Sequence, residues 1–167
     1  MNIDRRAFLG FGGAALVAGV AFTLPGGGGG GDAEAQPGNY PFRLTDAQWR
    51  QRLNPAQYAT LRQAATERPG SSPLNNEHRR GVFRCAGCNQ ALFSSAAKFE
   101  SGTGWPSFFR PLPNAIVTHA DRSLLEARTE VICARCGGHL GHVFNDGPRP
   151  TGLRYCMNGV AMTFQAA

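Results

Sequence analysis

Hydrophobic and polar positions alternate differently along three stretches of this 167-residue chain. Ala7 to Leu24 is an apolar run of 18 residues thinned by Gly10, Gly12, Gly13 and Gly19. From Thr45 to Thr66, Trp49, Leu53, Tyr58 and Leu61 stand out of a polar background, as the buried side of two short helices would. Thr45-Asp46-Ala47-Gln48 and Asn54-Pro55-Ala56-Gln57 each place Gln three residues after a capping side chain, and Pro55 occupies the first helical position. The helical pattern is expected to end near Thr66, ahead of Pro69-Gly70. From Gly81 onward the runs become short and β-prone: Gly81 to Arg84, Glu130 to Cys133, His142 to Phe144, Arg154 to Asn158 and Val160 to Phe164. Asn145-Asp146-Gly147-Pro148 and Pro150-Thr151-Gly152 are turns between them. The fold class that follows is mainly β and mostly antiparallel, with short N-terminal helices packed on a β core.

The first 35 residues read as an address. Arg5-Arg6 directly precede the apolar run, the layout of a twin-arginine export signal, and Ala33-Glu34-Ala35 follows six glycines as a small-x-small cleavage site. A mature start at Gln36 and a periplasmic location are expected; an uncleaved membrane anchor is the alternative, poorly served by four glycines. The organisation is then a signal at 1–35, an extension at 36–44 and one domain at 45–167. A mature chain of that size buries roughly two-thirds of its unfolded surface, so a real core is expected.

Charge changes the picture little. Past residue 35 there are 15 basic residues against 8 acidic, a net +7, and all the basic ones but Lys98 are arginine. They are spread singly, with Arg79-Arg80 the one adjacent pair, so solvated surface is expected rather than a nucleic-acid footprint.

Cysteine changes it a great deal. Cys85-Ala86-Gly87-Cys88 and Cys133-Ala134-Arg135-Cys136 are two knuckles that together supply the four thiolates of one structural Zn²⁺. The 44 residues between them mean that the ion ties distant hairpins together. Arg84 and Arg135 stand beside ligands, where they can offset the negative site. An exported protein can instead oxidise such knuckles, so a redox pair is the competing reading. A folded-state export route, which lets metal enter first, and the lack of a βαβ pattern count against it.

The fifth cysteine, Cys156, is then unpaired. Strand alternation places Arg154, Cys156 and Asn158 on one face, so a cation and an amide flank the sulfur and favour its thiolate. A small buried core cysteine is the plainer alternative. His139 and His142, followed by Asp146, are suited to proton transfer, with Asp146 able to orient or charge an imidazole. Gly102-Thr103-Gly104-Trp105-Pro106-Ser107-Phe108-Phe109 places aromatic rings on a constrained loop that suits a methyl-sized group.

Three long motifs in order, Lys98 to Phe108, Cys133 to Pro148 and Thr151 to Asn158, resemble the B-type peptide-methionine sulfoxide reductases. The resemblance, from about Thr45 to Phe164, implies two small antiparallel sheets in a zinc-tied β-tent. It also implies reduction of methionine-R-sulfoxide, mainly in oxidised proteins. Cys156 would attack the sulfoxide and become a sulfenic acid, with His142, Asp146 and His139 handling protons and Asn158 ordering the polar side. Arg154 would lower the Cys156 pKa, and Trp105 with Phe144 would bind substrate.

Many relatives carry a resolving cysteine where this chain has Thr103. A thioredoxin-like protein or a small thiol is therefore expected as reductant, and the twin-arginine translocase as export partner. Gly159-Val160, where a hydroxyl residue often stands, is expected to loosen the following loop. The zinc-tied architecture also resembles small nucleotide-exchange chaperones, which have no use for Cys156, two histidines and an aromatic pocket together.

Overall fold

The structure, a computed structural model, describes residues 39–121 and 127–167. The export signal expected at residues 1–35 lies outside the described residues. Among the described residues two helices come first, α1 (Asp46–Arg52) and α2 (Pro55–Gln63), and both begin on the capping boxes read from the sequence. The Gln48 amide N–H donates to Thr45 Oγ1 while Thr45 N–H donates to the Gln48 side chain, and Asn54 and Gln57 repeat the exchange. Two orphan donors at each helix start are thereby satisfied. Helix α2 stops at Gln63, before Thr66, because Ala64 turns left-handed (φ 55°) and Ala65 N–H bonds back to Ala59 O.

Nine strands follow among the described residues: β1 (Gly81–Cys85), β2 (Ala91–Ser94), β3 (Lys98–Phe99), β4 (Ser107–Phe108), β5 (Ile116–Asp121), β6 (Arg128–Cys133), β7 (His139–Phe144), β8 (Arg154–Met157) and β9 (Met162–Ala166). They form two antiparallel sheets, β2-β1-β9 and β3-β4-β8-β7-β6-β5. Four expected strands are present with slightly different ends. The fifth starts at Met162 because Gly159–Ala161 forms a 3-10 turn first. Strands β2 to β5 carried no clear period: β3 and β4 are two residues each, and β5 is exposed along most of its length.

The core forms where the sheets and helices meet. Phe83, Leu92, Phe93, Phe108, Val131, Leu140 and Met157 are fully buried. Phe93 stacks on Phe108 with ring centroids 4.3 Å apart, and Phe83 meets Phe108 edge-on at 4.9 Å. Trp49, Leu53, Tyr58 and Leu61 are buried as the helical pattern requires. Leu61 lies so close to Gly138 that a Cβ there would sit 2.9 Å from Leu61 Cδ2, so the helix packs directly on the second knuckle. No helix among the described residues is long and apolar enough to cross a membrane. Phe83→Ala is expected to cost about 3–5 kcal/mol, read as a lower denaturation midpoint in the metal-loaded protein.

Candidate active site and metal centre

The two knuckles are built alike. Cys85 ends β1 and Cys133 ends β6, and each turn closes with an N–H to carbonyl bond, Asn89 to Cys85 at 2.8 Å and Gly137 to Cys133 at 2.9 Å. Asn89 (φ 62°) and Gly137 (φ 68°) supply the left-handed residue that each turn needs. The four sulfurs lie within 4.8 Å of one another and all four cysteines are buried and unbridged. Cys85 and Cys136 Sγ are 3.7 Å apart, Cys88 and Cys133 Sγ 3.5 Å. A tetrahedral ion with metal–sulfur bonds of about 2.3 Å sets its ligands about 3.8 Å apart, so the donor set fits one structural metal ion. Arg135 donates to Cys88 O at 2.7 Å and Arg84 to Asn89 O at 2.9 Å, placing both cations at the knuckles.

Across the six-stranded sheet, register sets a row of chemically active side chains. Ser107 on β4 pairs with Cys156 on β8, Cys156 with His142 on β7, His142 with Glu130 on β6, and Glu130 with His119 on β5. Cys156 thus stands between a hydroxyl and an imidazole. Arg154, two residues back on β8, pairs with Phe144, and its guanidinium lies 4.4 Å from that ring's centroid.

His139 and His142, three apart, would face opposite sides of a regular strand. A bulge brings them to one side: Val131 pairs with Gly141 but Ile132 with His139, leaving Leu140 unopposed. The two rings then lie 5.4 Å apart, edge to face. Gly141 permits this, since a Cβ there would sit 2.1 Å from Cys156 O.

The carboxylates serving these histidines are not the one expected. His142 Nε2 bonds Asp121 Oδ2 at 2.8 Å, and His139 Nδ1 bonds Glu130 Oε1 at 2.6 Å. Asp146 instead accepts two bonds from Arg154, both 2.8 Å. It lies in the loop after β7, turned toward β8, so it orients the guanidinium rather than an imidazole. Asp146 is largely exposed, so the pair adds at most about 1 kcal/mol of stability and its main effect is geometric.

Burial depresses the His142 pKa, against the opposing pull of Asp121, so the ring is neutral near pH 7 with Nε2–H donated to the carboxylate. Glu130 is held below its ordinary value, chiefly by its His139 hydrogen bond. His139 is buried, and its Nε2 has no hydrogen-bond partner among the described residues.

Cys156 is half-buried, and burial raises its pKa above the ordinary thiol value. Hydrogen bonding from Thr103, the Arg154 charge and Ser107 all pull the other way without overcoming it. The expected Arg154 effect is present in sign, but desolvation wins, so the resting sulfur is a thiol. Nor does the Asn158 amide flank the sulfur. Asn158 is buried, its Oδ1 accepts from Glu67 N–H at 3.0 Å and its Nδ2 donates to Leu140 O at 3.1 Å. Thr103 Oγ1 is 3.9 Å from Cys156 Sγ and joins Ser101, which reaches Ser107 at 2.7 Å. Trp105 follows on the same loop, its Nε1–H donated to Glu67 O at 3.2 Å.

Fold and site together define a two-sheet β protein in which four clustered cysteines could hold a metal ion and a fifth thiol faces one of two carboxylate-paired histidines across the strand ladder. Residues 53–166 match the SelR domain family. A peptide methionine sulfoxide reductase MsrB of Agrobacterium fabrum is 53% identical over 122 residues, spanning 72% of this chain and 90% of that protein. One from Bradyrhizobium diazoefficiens is 54% identical over 138 residues, spanning 80% and 97%. Among solved structures, the Mis18 'Yippee-like' domain overlaps with a TM-score of 0.42 at 19% identity, covering 53% of this chain and 98% of that one. The chain belongs to the MsrB family of peptide methionine sulfoxide reductases.

From sequence alone Asp121, Glu130, Ser101, Ser107 and Glu67 carried no assigned role, because each meets the site through strand pairing or a loop contact. Arg154→Met removes a cation that draws the Cys156 pKa down. Its alkylation by iodoacetamide is expected to shift to higher pH than in the wild type, and an unshifted rate–pH profile would show that Arg154 does not act on the sulfur.

Proposed function

We propose that this chain reduces methionine-R-sulfoxide in oxidised proteins through a Cys156 sulfenic acid. The carrying observation is the position of Cys156 between Ser107 and His142 in one cross-strand row, with the other four cysteines gathered at the metal centre. Membership of the MsrB family supports the substrate class.

The protonation states suit the chemistry. Neutral His142 takes the Cys156 proton, and the thiolate attacks the sulfoxide sulfur. The sulfoxide oxygen takes up two protons and leaves as water, giving a sulfonium joined to Cys156. A water then attacks Cys156 Sγ, the thioether departs with the electron pair, and one proton returns. In net terms thiolate, sulfoxide and one proton become sulfenic acid and methionine: Cys156 loses two electrons and the substrate sulfur gains them. Asp121 and Glu130 hold the two imidazoles in place, and Asp146 holds Arg154. Trp105 supplies the wall for the substrate methyl, and Phe144 bounds the site while carrying Arg154 on its ring.

No cysteine is spare to resolve the sulfenic acid, since Thr103 occupies the adjacent loop position. A thioredoxin-like protein or a small thiol condenses with it, forming a mixed disulfide and water, and a second thiol releases Cys156. The metal is read as zinc on the chemistry of four thiolate donors; when bound it supplies structural cross-linking only, held by Cys85, Cys88, Cys133 and Cys136. Arg5-Arg6, the apolar run and Ala33-Glu34-Ala35 support export by the twin-arginine translocase and repair of periplasmic proteins, with the domain spanning 45–167.

Three measurements test this reading. Wild-type protein reduces the R epimer and not the S epimer with an external thiol donor, and Cys156→Ser loses turnover; retained turnover in that variant sinks the proposal. Purified protein contains one zinc per chain, and Cys133→Ser loses it with a lowered melting temperature; four oxidised cysteines and no zinc would contradict the assignment. Thr103→Cys places a second thiol beside Cys156, and oxidation by substrate is expected to yield a 103–156 disulfide by mass spectrometry. Oxidised wild type shows a sulfenic acid and no internal bridge.

A further inference from the structure

The segment from Glu67 to Asn75 has no role in the chemistry above, yet it touches both halves of the site. After α2 the left-handed Ala64 turns the chain so that Glu67 reaches the turn beyond β8. Its carboxylate accepts Gly159 N–H on Oε1 at 2.5 Å and Val160 N–H on Oε2 at 2.9 Å. Its own N–H donates to Asn158 Oδ1 at 3.0 Å, and its carbonyl accepts the Trp105 indole N–H at 3.2 Å. One residue therefore contacts the nucleophile strand's exit and the aromatic wall at once.

The neighbouring residues brace the same joint. Gly70 N–H and Asn75 Nδ2 both donate to Gly104 O, at 2.7 and 2.9 Å, holding the loop that carries Trp105. Gly104 has φ 89°, and a Cβ there would sit 2.9 Å from Gly70 N. Ser72 is buried against Gly159, where a Cβ would come within 2.0 Å of its Oγ. The expectation that Gly159-Val160 loosens this turn is thus overturned: glycine lets the strap approach, and both amides are held.

We infer that Glu67 is a positioning residue for the reductase reaction, setting the Trp105 wall relative to the Cys156 strand through four hydrogen bonds. The inference rests on the function proposed above. The carboxylate is suited to the task because it offers acceptors only, matching two backbone donors. Glu67→Gln turns an amide N–H₂ toward one of those donors, leaving an N–H unpartnered and pushing the turn away. A misplacement of about 1 Å at a reacting geometry costs up to about a hundredfold in rate.

The test compares wild type, Glu67→Gln and Glu67→Asp, with 5-fluorotryptophan at Trp49 and Trp105. Expected results for Glu67→Gln are a kcat/KM on methionine-R-sulfoxide lowered about tenfold or more, weaker discrimination against the ethyl sulfoxide, a shifted Trp105 fluorine signal and an unmoved Trp49 signal. Glu67→Asp, which keeps the charge but falls one methylene short, is expected to lie between the two. Wild-type kcat/KM and discrimination in Glu67→Gln overturn the inference, as does a loss no greater than the fraction of unfolded protein. If Glu67→Gln does not fold, amide exchange in the wild type decides: slow exchange at Gly159 and Val160 supports the clamp, and fast exchange refutes it. Wild-type protein inactive on methionine sulfoxide removes the proposed function itself, whereas active wild type matched by Glu67→Gln removes only the role of Glu67.

Discussion

The described fold is organised around a joint of four sulfurs. Cys85 closes a strand of the three-stranded sheet and Cys133 closes a strand of the six-stranded sheet, so a metal ion held by the four sulfurs, which lie within 4.8 Å of one another, would lock one sheet to the other. The joint lies at one end of β6, and the active residues follow from there by strand pairing alone. Glu130 sits three residues before Cys133, faces His142 across the ladder, and His142 faces Cys156. A residue of slippage at the metal end would turn the whole row to the other side of the sheet.

Within that frame the site is a contest between desolvation and charge. Burying Cys156 holds it as a thiol, although a guanidinium and two hydroxyls favour the anion. The same burial keeps His142 neutral despite its carboxylate partner. A neutral imidazole across the ladder from a protonated thiol is a pair matched for proton transfer. Arg154 matters as a cation of fixed position, with Asp146 on one side and the Phe144 ring on the other. Asp146, the acidic residue most visible from the motif, thereby acts one step further from the sulfur than its spacing suggests.

Much was legible from local pattern. Both helix starts were, because a capping box is a contact among four consecutive residues. The four-cysteine cluster was, because a knuckle needs two cysteines at fixed separation, and Cys156 stood out as the cysteine left over. Strands β3 and β4 were not, since two residues carry no period, yet β4 places Ser107 against Cys156. The side on which a histidine falls was also not legible, since a bulge at Leu140 reverses the parity of everything beyond it.

By itself, then, the sequence determined which residues stand out by chemistry: four cysteines in two knuckles, a fifth cysteine apart from them, two histidines and a tryptophan. These are properties of side-chain type and short-range spacing. Only the tertiary structure decided who serves whom. Asp121 and Glu130, rather than Asp146, hold the histidines, and Asn158 and Trp105 are tied to Glu67, more than thirty residues from either. Those partnerships come from strand register and loop closure, which bring distant residues within about 3 Å and leave no trace in local pattern.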